Sequence, residues 1–134
     1  MTLSPQELVQ ATTFATKPVV ALSEGSDPRV VQGALAAREA GFSDIILVGA
    51  EADVLAELTR QGSEQGQGIS VHDPLTSSLT DGFAASFLEL RKHKGVDAVK
   101  AQALVETPLV YTAMLVREGH ATGTVGGAVA TTSD

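Results

Sequence analysis

The stretch from Pro18 to Gly49, PVVALSEGSDPRVVQGALAAREAGFSDIILVG, constrains the fold more than any other part of the chain. It reads as strand, helix, strand. Val19 to Leu22 is an apolar run long enough for a buried strand, and Ser23-Glu24-Gly25-Ser26 interrupts it. Asp27 stands where a helix N-cap belongs, with Pro28 at the first helical position, where its missing N–H costs nothing. Val30, Val31, Ala34 and Leu35 recur at helical spacing, and Gly41 is placed to end the helix in a left-handed conformation. Ile45 to Val48 is a second apolar run. Two buried strands joined by a helix make a right-handed βαβ crossover, the unit of a parallel sheet. The loop after the first strand then lies at the carboxyl edge, where open α/β sheets bind ligands.

Composition enters as a set of exclusions. At 134 residues the chain is long enough for one domain with its own core, and 43% hydrophobic with 19% charged residues is a globular balance. No apolar run is long enough to span a membrane, and MTLSPQELVQ lacks the features of a signal peptide. The absence of cysteine removes disulfides, zinc–thiolate sites and cysteine nucleophiles, and is compatible with a cytoplasmic protein. A net charge of −7 argues against nucleic-acid binding, although a local field can still favour a phosphate ligand.

Taken in order, Ser4-Pro5-Gln6-Glu7 is a capping box that opens a short helix to about Ala15, with Leu8, Ala11 and Ala15 on one side. We treat residues 1–16 as an N-terminal helix and residues 17–134 as the α/β domain. After the βαβ unit, Glu51 to Arg60 is helical in pattern, Gln61 to Gly68 is a surface turn, and Ile69 to His72 is a third short strand ended by Asp73-Pro74. Asp81 to Lys94 follows as a helix closed by Gly95, with Phe83, Phe87 and Leu90 on one face. Helical spacing puts Arg91 between Ala84 and Phe87 on that apolar side, and Lys94 near Phe83. Lys92 and His93 point the other way, with Glu89 as ion partner. These cations have two readings. They complement the helix dipole before a glycine cap. Alternatively, an arginine on a buried side needs a carboxylate or an anionic ligand, and its planar fork suits phosphate.

Asp97 caps a further helix, and Thr107-Pro108 opens another in which Val110, Ala113, Met114 and Arg117 share a face before Gly119. The chain finishes GTVGGAVATTSD, a strand-like piece, a glycine pair and then N-cap residue types. That is how a strand-to-helix turn that binds an anion begins. His72 and His120 are isolated in sequence, and no His/Asp/Glu cluster has metal-ligand spacing.

Three stretches together resemble the phosphate acetyltransferase/phosphate butyryltransferase family. VVALSEGSDPRVVQGALAAREAGFSDIILVGAEADV is similar to its opening strand, acidic-glycine loop and second strand. LELRKHKGVDAVKAQALVETPLVYTAMLVREGHATG is similar to its Leu-Arg-Lys-x-Lys-Gly helix end and the helices after it. GTVGGAVATTSD is similar to its Gly-Ala-x-His-Ser/Thr-Thr-x-Asp segment. The resemblance implies a three-layer α/β domain with a mostly parallel sheet, the first lobe of a fold shared with isocitrate and isopropylmalate dehydrogenases.

It further implies reversible acyl transfer between coenzyme A and phosphate, with acetyl-CoA, phosphate and acetyl phosphate as small-molecule substrates. No permanently bound cofactor and no metal are expected, nor any nucleic-acid or membrane partner. A cytoplasmic homo-oligomer is implied. Arg91 corresponds to the arginine at the substrate cleft, and Lys94, Gly127, Thr131 and Thr132 correspond to substrate contacts. Glu24, Asp27 and Arg29 match the pattern too, with loop and cap structure as their other reading. The chain departs from the pattern at Thr122, where the family usually has Asp, and at Ala130, where it usually has His. The lobe that carries the family's general base has no counterpart here. A chain of this length is expected to be inactive unless a second polypeptide supplies that lobe. The other readings are phosphate butyryltransferase, or a non-catalytic module that senses acetyl-CoA or forms oligomers.

Overall fold

A computed structural model describes residues 17–125. Four short strands form one sheet in the order β3-β2-β1-β4, with every pairing parallel. They are β1 (Val19–Leu22), β2 (Asp44–Val48), β3 (Ile69–His72) and β4 (Gly123–Val125). Between them lie α1 (Pro28–Glu39), α2 (Glu51–Arg60), α3 (Thr80–Arg91), α4 (Ala98–Val105) and α5 (Pro108–Arg117), with a 3₁₀ turn, Lys92–Lys94, after α3.

The local signals hold where they were strongest. The Asp27 carboxylate accepts from the backbone N–H of Arg29 (2.8 Å) and of Val30 (3.2 Å), and Pro28 opens α1. Gly41 takes φ +75° just past the helix, as a left-handed cap requires. The Asp97 carboxylate accepts from the Lys100 N–H at 2.8 Å and starts α4. Thr107 sits at the N-cap of α5 but does not cap it with its side chain; its hydroxyl donates back to the Leu104 carbonyl at 2.6 Å. Nor does α2 have a cap of its own at Ala50. Asp73, at the end of β3, supplies one from a distance by accepting from the Glu51 N–H at 3.0 Å.

Alternation along the strands divides the core. Ile45 and Leu47 pack with Val31 and Ala34 of α1 and Val54 and Leu58 of α2. Ile46 and Val48 pack on the opposite face with Phe83 of α3, Val105 of α4, and Tyr111, Met114 and Leu115 of α5. The architecture is therefore three-layered. A crossover of fixed hand places its helix on one face when the chain steps one way along a sheet, and on the other face when it steps back. From β1 through β3 the chain steps outward with α1 and α2 on one face; it then returns past β1 to β4 with α3, α4 and α5 on the other. The order of strands reverses between β1 and β4, the place where doubly wound sheets open a crevice at their carboxyl ends.

No helix among the described residues is long and apolar enough to cross a membrane. The expected helix over Ser4 to Ala15 lies outside the described residues, as do Gly127, Thr131 and Thr132.

Candidate functional site

Two regions could meet a ligand. The first is the loop after β1, beside the reversal point. Gly25 closes it against the end of β2, donating its N–H to the Val48 carbonyl at 3.0 Å. A Cβ at this position would lie 2.8 Å from the Val48 nitrogen and 3.0 Å from the Leu47 carbonyl carbon. Only glycine fits that approach. Asp27 and Arg29 stand in the loop as cap and ion partner, Arg29 Nε lying 3.5 Å from Asp27 Oδ1. Desolvation works against the Asp27 carboxylate, yet the two backbone N–H bonds and Arg29 hold its pKa below the usual range. The capping role of Asp27 thus has a full structural account.

β4 extends the other wall of the crevice. Thr122, the first departure from the family pattern, has a structural task there. Its hydroxyl accepts from the Val19 N–H at 3.0 Å, and its own N–H donates to the Val19 carbonyl at 2.7 Å. An aspartate could accept the same bond. Thr122→Val is therefore expected to destabilise the protein by about 1 kcal/mol, the net worth of one hydrogen bond, and Thr122→Asp to retain most of it. Chemical denaturation of the two variants checks this; equal losses would remove the role given to the hydroxyl.

The second region is a groove of about 380 Å³ between the end of α3 and α5. Phe87, Leu90 and Met114 supply its apolar lining, and Arg91, His93, Lys94 and Arg117 bring charge or a titratable ring to it. Here the structure corrects the sequence reading. Arg91 is exposed, not buried, and its guanidinium lies 5.8 Å from the centre of the Phe87 ring. A long side chain at the last position of a helix can cover an aromatic ring and keep its charge in water, so Arg91 needs no buried counter-ion. His93 also lines the groove, although regular α-helical spacing would turn it away. The α-helix stops at Arg91, and Lys92–Lys94 continue as a tighter 3₁₀ turn that shifts every later side chain round the axis. Lys92 behaves as expected, with its ammonium 3.3 Å from both oxygens of Glu89. Arg117 joins the groove from α5, sharing it with Ala113 and Met114, so the face read from the sequence lines the groove.

Beyond the end of β3 lies a hydrogen-bonded chain that the sequence did not reveal. The hydroxyl of buried Tyr111 is joined to His72 Nδ1 at 2.7 Å and to Ser77 Oγ at 2.6 Å. Burial pushes the Tyr111 hydroxyl upward in pKa, against the opposing effect of Ser77. Burial pushes the His72 imidazole below its ordinary value of 6.5, and the charge of His120 acts in the same direction. His72 is therefore not isolated. The unfolded chain takes up this proton more readily than the folded one. The stability gained by keeping His72 neutral is fully present above its unfolded value of 6.5 and lost as the pH falls below it. The unfolding midpoint is expected to drop between about pH 7 and about pH 5, and to drop less in His72→Gln. Parallel slopes for the two proteins would exclude His72 as the cause. Among the described residues no group of histidine and carboxylate side chains could hold a metal ion.

Comparison with known proteins is consistent with this architecture. The phosphate acetyl/butaryl transferase family matches residues 5–134. A phosphate acetyltransferase of Thermoanaerobacterium thermosaccharolyticum is 34% identical over 123 residues, covering 90% of this chain and 36% of that protein. One from Clostridium acetobutylicum is 36% identical over 121 residues, covering 88% of this chain and 35% of that protein. Among solved structures, the EutD phosphotransacetylase from Staphylococcus aureus superimposes with a TM-score of 0.81 at 27% identity, covering 99% of this chain and 41% of that one. The chain thus spans a little over a third of the length of these two curated relatives. With the family matched along nearly its whole length and the sheet, reversal point and helix layers in place, the chain belongs to the phosphate acetyl/butaryl transferase family.

Proposed function

We propose that this lobe serves a reversible acyl transfer between coenzyme A and phosphate, with acetyl as the acyl group. The observation that carries the proposal is the α3–α5 groove. In a chain of net charge −7, Arg91, Lys94 and Arg117 gather on one partly apolar groove. Coenzyme A presents phosphates and a flat aromatic base, and such a groove offers cations to the first and an apolar surface to the face of the second. The acetyl assignment draws on relatives named phosphate acetyltransferase.

In the forward direction the thiolate of coenzyme A attacks the carbonyl carbon of acetyl phosphate. A carbon–sulfur bond forms, the carbon–oxygen bond to phosphate breaks, and phosphate leaves with its electron pair. The thiol proton must pass to a base. Cations and backbone N–H groups must stabilise the charge on the carbonyl oxygen and the leaving phosphate. In this proposal Arg91, Lys94 and Arg117 hold anionic groups of the substrates. Gly127, Thr131 and Thr132, which follow β4 in sequence, are included as substrate contacts on the family resemblance alone. A cytoplasmic setting goes with these substrates. A homo-oligomer belongs to the proposal on the family resemblance alone.

Titration of coenzyme A into the chain, followed by calorimetry, tests the reading. Saturable binding that weakens with salt and is lost in Arg91→Ala is the expected result. Failure to bind, or binding indifferent to Arg91, would overturn the assignment of the groove.

A further inference from the structure

We propose that Phe87 is a positioning residue for the α3–α5 groove: its ring holds the Arg91 guanidinium at the place where an anionic group of the coenzyme binds. The inference rests on the coenzyme A reading of the groove and adds to it a residue that acts through Arg91. Side chains of an α-helix lean towards its N-terminus, so a residue four positions on lies back over its predecessor. Phe87 and Arg91 stand at that spacing at the end of α3. The guanidinium carbon of Arg91 accordingly lies over the Phe87 ring, 5.8 Å from its centre.

The ring is a fixed platform. Phe87 is half-buried and packs against the core that contains Phe83, Met114 and Leu115. Arg91 is exposed, and a long exposed side chain has many rotamers to lose when it takes a ligand. Attraction between the cation and the face of the ring removes part of that freedom before any ligand arrives. Affinity gained in this way comes from pre-organisation and not from a new contact with the ligand.

The pattern of ion pairs leaves the charge of Arg91 to a ligand. Arg29, Arg38 and Arg60 are paired with the carboxylates of Asp27, Glu39 and Glu57. The other two arginines, Arg91 and Arg117, have no carboxylate partner among the described residues, and both line the groove. The acids nearest to them in sequence are engaged elsewhere. Glu89 takes the Lys92 ammonium at 3.3 Å, and Glu118 accepts from the Ser86 hydroxyl at 3.1 Å. A ring face holds a cation without neutralising it, whereas a carboxylate in the same position would compete with an anionic ligand. Phe87 therefore orders Arg91 and keeps its charge available.

Nuclear magnetic resonance and calorimetry on the 134-residue chain test the inference. The ring should shift side-chain protons of Arg91 upfield in the parent and in Phe87→Tyr. That shift should be lost in Phe87→Leu, which keeps the apolar packing but not the ring face. The Kd for coenzyme A should rise about two- to fivefold in Phe87→Leu, the range for an exposed cation–ring contact, and stay near the parent value in Phe87→Tyr. Unchanged Arg91 shifts in Phe87→Leu would overturn the proposal, even with a weaker Kd, because the ring would then act on the coenzyme directly or through the fold. Equal losses of affinity in the Leu and Tyr variants would overturn it by assigning Phe87 to packing. Lost shifts with an unchanged Kd would also overturn it; if Arg91→Ala still abolishes binding, the coenzyme A reading stands without Phe87. Absence of binding by the parent chain would overturn the coenzyme A reading itself, and the role of Phe87 with it.

Discussion

Replacing Arg91 by alanine in the protein that carries this lobe is expected to raise KM for coenzyme A by about ten- to a hundredfold. Hydrogen bonds to charged groups are worth about 1.5–3 kcal/mol, and each 1.4 kcal/mol is roughly a factor of ten. Arg91→Lys should recover only part of the loss, because an ammonium keeps the charge but not the planar fork. Arg117→Ala should act in the same direction. If both arginines hold the same anion, the double variant should lose less than the product of the single effects, since neighbouring contacts to one group are not additive. Steady-state kinetics at fixed ionic strength separates the outcomes. A KM unchanged in both single variants would remove the groove from substrate binding, whatever becomes of kcat.

The second large effect is structural. Gly25→Ala should destabilise the fold by about 1–3 kcal/mol, the usual range for overpacking. All the atoms nearest the added methyl belong to the backbone of Leu47 and Val48, so no side chain can rotate to make room. The loop would have to lift, weakening the bond from the Gly25 N–H to the Val48 carbonyl and displacing the crevice wall. Thermal unfolding should show a loss of about 4 °C per kcal/mol at this size. Gly82→Ala is the control, because a Cβ there meets nothing within 4 Å. Equal midpoints for the two variants would show that the loop yields at no cost.

The sequence revealed the outward half of the fold well because its signals are local. Asp27-Pro28 and Gly41 bracket α1 by the chemistry of their own backbones. Short apolar runs marked all three strands on that side. The candidate site was legible only in part. Arg91 and Lys94 could be picked out by residue type and by resemblance, but the place of His93 in the groove depended on where an α-helix gives way to a 3₁₀ turn. That change is set by the terminal geometry of α3, and a regular period cannot anticipate it. Arg117 was visible on the right face of its helix, yet nothing local said which helix that face would meet. The His72–Tyr111–Ser77 chain joins residues 34 and 39 positions apart, and neither the histidine nor the tyrosine stands in a motif. The need for glycine at Gly25 was equally silent, since it comes from the backbone of a different strand.

The reversal of strand order has a consequence for how the chain is made. β1 is the first described strand, yet it lies inside the sheet, and its contacts with the β4 end bridge 103 positions. As the chain leaves the ribosome, β1, β2 and β3 can assemble with α1 and α2 while one edge of β1 still has no neighbour. That edge offers unpaired N–H and C=O groups to any other nascent strand. It stays open until α3, α4 and α5 have been made and β4 can pair with it. Long-range closure of this kind is slow, and the protein is most exposed to misassembly during that interval.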